Sequence, residues 1–353
     1  MKETVLNVCY AANNKYTMQV GVSIISLLEN NKDIDSINIF ILNNDFSTEN
    51  IILLTNVVNK YSRNLYILNS EQVLKKLEDT CLYLKVNNGG KEYFKSLGLE
   101  AYVRFFIVDL LPNWVKQVLY LDSDTIICKS LKKIADYETE NYIEAVIDTW
   151  TQKYNKVVGM KNESRYFNAG VQIINLEKWR EDKILEVYLS HIRNMKKPYR
   201  LFDQDIMNVV MEGKIGCLDL QYNMMYITRQ FKPNDVYKIA GKNQETFYSL
   251  EKIKYAQDNI CIIHFAGDPL GKPWRSPNTD KNTKKWKFYF EMSPWAEIGL
   301  RKSQNISSFI WLLKKIKIFF ERIKLYIQKP ETHLMKIKRY MDAEVNNALQ
   351  NRF

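Results

Sequence analysis

Gln117-Val-Leu-Tyr-Leu-Asp-Ser-Asp-Thr125 decides how the chain is read, because four apolar residues run without a break into two carboxylates one position apart. A short apolar run rich in β-branched and aromatic residues predicts a buried strand, here Gln117 to Leu121. Ligands of parallel α/β sheets gather at the carboxyl ends of strands, and Asp122 and Asp124 stand at such an end.

Upstream, the same kind of reading predicts strands over Val5 to Ala11, Ile37 to Leu42 and Leu65 to Leu68, with helices over Met18 to Glu29 and Asn50 to Tyr61 between them. The βαβαβ order implies a parallel sheet. Leu99 to Leu110 reads as a further helix, closed by Pro112. The polar, Lys-rich stretch from Gly89 to Gly98 is either a lid over the active edge of the sheet or a plain surface loop.

The chain has 353 residues, 46% of them hydrophobic, with 12 Gly and 8 Pro. That composition excludes a disordered chain and allows one large domain, placed at 1–280, with an appendage over 281–353. No charged segment followed by an apolar stretch and a cleavage site opens the sequence, and no apolar run reaches the roughly 20 residues of a membrane span. The expectation is a cytoplasmic protein. Five scattered cysteines without a C-x-x-C pair read as reduced and mostly buried.

The formal charge of +11 suits nucleic acid, an anionic membrane or phosphorylated substrates. Its distribution is more informative. From Phe309 to Lys329, a helical projection puts Lys314, Lys317, Glu321, Lys324 and Gln328 on one face and Leu312, Ile316, Phe319, Phe320, Ile323 and Ile327 on the other. This basic amphipathic helix either lies on an anionic membrane surface or packs on the domain. With the basic excess concentrated there, and no nucleic-acid motif elsewhere, nucleic-acid binding is disfavoured.

Two carboxylates spaced D-x-D after a buried strand can converge on one divalent cation. The bland reading is a strand end with two solvated acids. A sharper rival is the D-x-D-x-T nucleophile motif of haloacid-dehalogenase-type phosphatases, in which Asp122 would be phosphorylated, although that motif normally sits on the first strand of its domain. A second cluster, Ile260-Cys-Ile-Ile-His-Phe-Ala-Gly-Asp-Pro-Leu-Gly-Lys-Pro-Trp274, ends another apolar strand on His264. His264 with the two acids makes a shell suited to Mn²⁺, with Mg²⁺ the other candidate. Backbone N–H groups at Gly267 and the Lys272 ammonium can hold a pyrophosphate.

Tyr10-Ala-Ala-Asn-Asn-Lys-Tyr16, Tyr102-Val-Arg104, Leu119-Tyr-Leu-Asp-Ser-Asp124, Tyr166-Phe-Asn-Ala-Gly-Val-Gln-Ile-Ile-Asn-Leu176, Phe202-Asp-Gln-Asp-Ile-Met-Asn208 and His264-Phe-Ala-Gly267 with Lys272-Pro-Trp274 occur in this order. In order and approximate spacing they resemble family 8 glycosyltransferases, the group of bacterial lipopolysaccharide galactosyl- and glucosyltransferases, over roughly Leu6 to Trp274. The resemblance implies a GT-A fold, a Rossmann-like α/β/α sandwich with a mixed, mainly parallel sheet, and a UDP-hexose donor bound through Mn²⁺ on Asp122, Asp124 and His264.

It further places Ala11, Asn13 and Tyr16 around the uridine, Arg104 and Asp203 around the donor sugar and its phosphates, and Asn168, Ala169 and Gln204 beside the transferred sugar. Ser123, Gly267 and Lys272 complete the implied donor site. The implied acceptor is a saccharide, a lipid-linked glycan or a glycoprotein in cell-surface glycan synthesis, met by an enzyme peripheral to the inner face of the cell membrane.

The family retains anomeric configuration. The position that would carry a nucleophile in a double displacement is the amide Gln204, which favours front-face attack, with Gln204 and Asp203 as the catalytic pair. Outside the resemblance, Asn168-Ala-Gly170 also reads as a tight turn before a strand over Val171 to Ile174, and Asp203-Gln-Asp205 as the cap of a helix. Two positions depart from the family pattern: Asn13 stands where an Asp is common, and the path from Gly267 to Lys272 is two residues longer.

Overall fold

The computed structural model describes residues 3–43, 45–77, 99–195, 199–267, 272–275, 281–297, 299, 307–327 and 330–350. The expected lid over Gly89 to Gly98, the insertion at Asp268 to Gly271, Cys81, and Gln328 and Lys329 lie outside them.

The strands are β1 (Val5–Ala11), β2 (Ser36–Asn43), β3 (Asn64–Asn69), β4 (Gln117–Leu121), β5 (Thr125–Ile127), β6 (Ile143–Ile147), β7 (Phe167–Asn175), β8 (Ile215–Cys217) and β9 (Ile262–His264). The longer helices are α1 (Thr17–Glu29), α2 (Thr48–Asn59), α3 (Leu176–Glu181), α4 (Ile184–Asn194), α5 (Phe202–Val210), α6 (Pro233–Ala240), α7 (Leu250–Asp258), α8 (Lys281–Glu291), α9 (Ser308–Ile327) and α10 (Pro330–Gln350).

Seven strands form one sheet in the order β3-β2-β1-β4-β7-β6-β8, and β5 pairs with β9 in a second. The sheet is mixed, as the GT-A resemblance implies: β1, β2, β3 and β4 run parallel, whereas β7 is antiparallel to β4 and β6. The reversal of β7 brings its amino-terminal end to the carboxyl edge of β4, where the Asp122 amide donates to the Gly170 carbonyl at 2.8 Å. The sequence pattern places a strand over Val171 to Ile174 but not its direction, because the periodicity of a buried strand carries none.

β1 and β4 begin and end where the residue pattern puts them. Helix α2 starts two residues earlier than its apolar periodicity indicates, because the Ser47 hydroxyl accepts from the Asn50 amide at 3.2 Å and caps the first turn. Leu99–Phe106 is a 3₁₀ run, not an α-helix, followed by one α-turn over Ile107–Leu110. Three residues per turn bring side chains at i and i+3 into line. Tyr102 and Phe105 are both buried, and Phe105 stacks on Tyr188 with ring centres 4.2 Å apart.

α1 is buried along nearly its whole length, and its polar side chains are satisfied inside the core. The Ser23 hydroxyl meets Tyr10 Oη and Thr125 Oγ1, and Ser26 Oγ accepts from the Ile127 amide. Trp286 and Phe290 of α8, and Trp295 beyond it, pack into the same core; Trp295 occupies the space a Cβ would need at Gly21. Val345 of α10 joins a smaller buried cluster with Tyr154, Val157, Val158, Met160 and Tyr166. Arg200 and Glu344 form an ion pair beside it.

Of the described cysteines, Cys9 and Cys261 are buried, Cys128 is half-buried and Cys217 is exposed; all four are free thiols. Cys217 is the exposed exception among the thiols expected to be mostly buried. It sits on β8, an edge strand of the seven-stranded sheet.

Candidate active site

Strand β4 ends at Leu121, and the turn that follows holds Asp122, Ser123 and Asp124 at the sheet edge. The two-stranded sheet supplies the third group: Thr125 of β5 stands opposite His264 of β9, and the Phe265 amide donates to the Asp124 carbonyl at 3.0 Å. The pairing fixes His264 beside the acids. Its Nε2 lies 3.1 Å from Asp124 Oδ1 and 3.7 Å from Asp122 Oδ2.

One atom from each of Asp122, Asp124 and His264 lies within 4.8 Å of the others, which fits a single divalent cation. Gly170 leaves the space open, with no side chain of its own. The Lys272 ammonium pairs with Asp124 Oδ2 and donates to the Phe265 carbonyl at 2.9 Å. Burial raises the Asp124 carboxyl pKa, but the Lys272 ammonium opposes it, and the group is held well below the usual carboxylate range.

Arg104, delivered by the 3₁₀ run, is the hub between this cluster and α5. Its guanidinium donates to Asp122 Oδ1 at 2.8 Å and to the Ala169 carbonyl at 2.7 Å. Its Nε is 3.0 Å from Asp203 Oδ2, and its Cζ stands 4.4 Å above the Tyr120 ring. Burial, with help from Asp122, pushes the Asp203 carboxyl up to about 6 against the pull of Arg104.

Asn168, Ala169 and Gly170 lie within β7, so the tight-turn reading is corrected: β7 begins at Phe167, and these residues pass the site in extended form. Asp203 does not cap α5 either. Leu201 at the cap position makes no side-chain cap bond, and it is Asp205 Oδ2 that accepts from the Leu201 amide, at 2.8 Å. Phe202, directly before Asp203, adopts left-handed backbone at φ 47°, a strained conformation of the kind that gathers at functional sites.

Gln204 is held at both ends. Its Oε1 accepts from Asn168 Nδ2 at 3.0 Å and the Ala169 amide at 3.1 Å, while its Nε2 donates to Asp148 Oδ2 at 3.1 Å and Tyr166 Oη at 3.2 Å. Asp205 accepts in turn from Tyr154 and Tyr166.

Asp122, Asp124, His264, Lys272, Arg104, Asp203, Gln204, Asn168 and Ala169 are thus joined at one edge of the sheet. Ala11, Asn13 and Tyr16 stand at the carboxyl end of the neighbouring strand β1, where Asn13 Oδ1 accepts from the Lys15 amide at 3.2 Å. Ser123 is half-buried between the acids, and Gly267 takes left-handed backbone at φ 64°.

The structure adds Asp148, Gly170 and Asn223 to the residues to which the sequence reading gives a role in the site. Asp148 follows the apolar strand β6 as Asp122 follows β4, so the same rule of reading would have found it. Asn223 sits in an irregular segment and carries no periodic signal.

A Rossmann-like sheet that delivers an Asp-x-Asp pair and a histidine to one edge is the architecture of the GT-A fold. The family description Glycosyl transferase family 8 matches residues 7–278. The chain belongs to that family and is a glycosyltransferase, which sets aside the phosphatase reading of Asp122.

It is 26% identical over 311 residues to the lipopolysaccharide 1,2-glucosyltransferase of Escherichia coli K12, covering 86% of this chain and 83% of that protein. It is 24% identical to the lipopolysaccharide 1,3-galactosyltransferase of Salmonella typhimurium LT2, covering 83% and 80%. In structure it is similar to the galactosyltransferase LgtC in complex with donor and acceptor sugar analogs, with a TM-score of 0.63, 20% identity, and coverage of 82% of this chain and 96% of that one.

Proposed function

We propose that this enzyme moves a hexose, glucose or galactose, from its UDP-sugar to a saccharide or glycoconjugate acceptor, with retention of configuration, in the synthesis of a lipopolysaccharide or related surface glycan. The observation that carries the reading is the convergence of Asp122, Asp124 and His264 within 4.8 Å at the sheet edge that also holds Arg104, Asn168 and Gln204.

Asp122, Asp124 and His264 would hold Mn²⁺, which when bound supplies positive charge against the diphosphate as the glycosidic bond breaks. Lys272 and Arg104 add preorganised positive charge on the same side. Ala11, Asn13 and Tyr16 line the uridine end, with Ser123 and Gly267 toward the phosphates.

Retention needs front-face attack or a covalent intermediate. Gln204 is an amide with both ends committed, and a poor nucleophile. Asp148 has Oδ1 accepting from the Trp150 amide at 3.1 Å and Oδ2 accepting from Asn168 and Gln204. A carboxylate saturated in this way serves as a source of negative potential more readily than as an attacking group. The acceptor hydroxyl then attacks from the side of the departing UDP and gives its proton to the leaving phosphate, while Asp203 steadies Arg104 and Gln204 steadies the sugar face.

The same reading puts the enzyme on an anionic membrane surface through α9. Phe309, Phe319 and Phe320 are 68%, 60% and 55% exposed, on a helix that also carries Lys314, Lys315 and Lys317. Among the described residues no helix is long and apolar enough to cross a membrane.

UDP release from a panel of UDP-sugars, with Mn²⁺ and with chelator, tests the donor assignment. Metal-dependent hydrolysis of one UDP-hexose, lost in Asp122→Asn, Asp124→Asn and His264→Ala, supports it. Silence across the panel together with no UDP binding by calorimetry overturns it.

A further inference from the structure

Asn223 is fully buried between two groups of the site that sit on different strands. Its Oδ1 is 3.0 Å from His264 Nδ1, and its Nδ2 donates to Asn168 Oδ1 at 2.8 Å. Backbone bonds hold the segment in register, since the Met224 amide donates to the Ile262 carbonyl and the His264 amide donates to the Met224 carbonyl.

Which end of each amide faces which neighbour follows from a group whose polarity cannot be reversed. The Gly170 backbone N–H donates to one end of the Asn168 side chain at 2.9 Å, so that end is the oxygen. Asn223 approaches the same oxygen and must present its NH₂ there, which leaves its own oxygen facing His264. An amide oxygen only accepts, so His264 Nδ1 must carry the hydrogen. In the neutral ring the lone pair is then on Nε2, the nitrogen that faces Asp122 and Asp124.

We propose that Asn223 is a positioning residue that locks His264 in the Nδ1–H tautomer and so aims the Nε2 lone pair into the cation site. This rests on the reading of Asp122, Asp124 and His264 as cation ligands. The other end of the Asn168 amide donates to Asp148 Oδ2 at 2.9 Å and Gln204 Oε1 at 3.0 Å. A single chain of fixed amides, Asn223, Asn168 and Gln204, therefore ties the orientation of the histidine to the sugar side of the site. Partners of this kind behind a metal-bound histidine contribute roughly ten- to a hundredfold in metal affinity.

The test uses the full chain labelled with ¹⁵N-histidine, without metal, with the pH raised until the His264 ring is neutral. With three histidines in the sequence, His264 is assigned by its loss in His264→Gln. The expected long-range proton–nitrogen pattern is that of a ring protonated on Nδ1. In Asn223→Ala the ring should become a tautomer mixture, and Mn²⁺ affinity measured by calorimetry should fall at least tenfold. Asn223→Asp keeps an acceptor for Nδ1–H but sets its second oxygen against Asn168 Oδ1, so it should keep the Nδ1–H pattern while recovering only part of that affinity.

A wild-type ring protonated on Nε2 overturns the proposal, as does a folded Asn223→Ala protein that binds Mn²⁺ within twofold of wild type. The wild-type spectrum decides the tautomer even if Asn223→Ala does not fold. Failure of wild type to bind any divalent cation while His264 shows the Nδ1–H pattern strikes at the cation reading and leaves the tautomer lock supported.

Discussion

Gly170 stands so close to His264 that a Cβ placed on it would lie 2.2 Å from the imidazole Cε1, and 2.8 Å from Asp122 Oδ2. Two of the three candidate cation ligands therefore depend on the missing side chain of a β7 residue.

Gly170→Ala should accordingly push the imidazole off its line to Asp124 while leaving β7 paired. Overpacking of this size costs about 1–3 kcal/mol in stability. The expected result is a folded protein whose Mn²⁺ affinity and UDP release both drop more than tenfold. Calorimetry beside a thermal melt separates the two effects, and unchanged affinity would show that the imidazole yields without cost.

Arg104 uses the full geometry of its guanidinium, with separate nitrogens toward Asp122, Ala169 and Asp203. Lysine keeps the charge but not the fork. Arg104→Lys should leave one of the two acids without its partner, and the cost of breaking a buried pair is about 3–5 kcal/mol when a partner is removed outright. A smaller loss, about 2 kcal/mol, is expected here because the charge is retained. Urea denaturation reads the stability, and UDP release should fall at least tenfold.

Lys242 is buried, and its ammonium donates to the Asp148 carbonyl at 2.6 Å. Burial pulls its pKa down to about 8 from the ordinary 10.5, with Asp148 opposing. Below pH 8 the folded and unfolded chains both hold the proton, and the cost of burying the charge is fully present. Between about pH 8 and 10.5 the unfolded chain binds more protons, so this group's contribution to stability rises with pH. The difference amounts to about 3 kcal/mol across that window. Lys242→Met should lack this rise when urea midpoints of the two proteins are compared at increasing pH; parallel curves would contradict the assignment.

The exposed aromatic side chains of α9 give a separate test. Replacing Phe319 and Phe320 together with Ser should reduce sedimentation of the full chain with anionic vesicles at least tenfold, since burying each ring is worth about 1.5–3 kcal/mol. UDP release in free solution should be unaffected. Binding of the wild type should weaken with added salt, because the basic residues act through a screened field; equal binding to neutral vesicles would remove the electrostatic part of the argument.

Much of the candidate site is legible because its residues sit at the ends of strongly patterned strands. Asp122 and Asp124 close the apolar run of β4, and His264 closes that of β9. Asp148 offered the same signal at the end of β6. Arg104 and Gln204 were reached through family resemblance instead. Neither the 3₁₀ geometry that aims the one nor the four bonds that hold the other has a local sequence signature.

By itself the sequence determined the alternation of strands and helices, the limits of β1 and β4, and the acidic pair at a strand end, because those properties follow from the side chains of adjacent residues. Only the tertiary structure decided that β7 runs against its neighbours, that Gly170 must lack a side chain, and that Asn223 faces His264. Those facts depend on which distant segments meet. Asn223 and Asn168 are 55 residues apart, and a lone buried amide leaves no period in the chain from which its partner can be read.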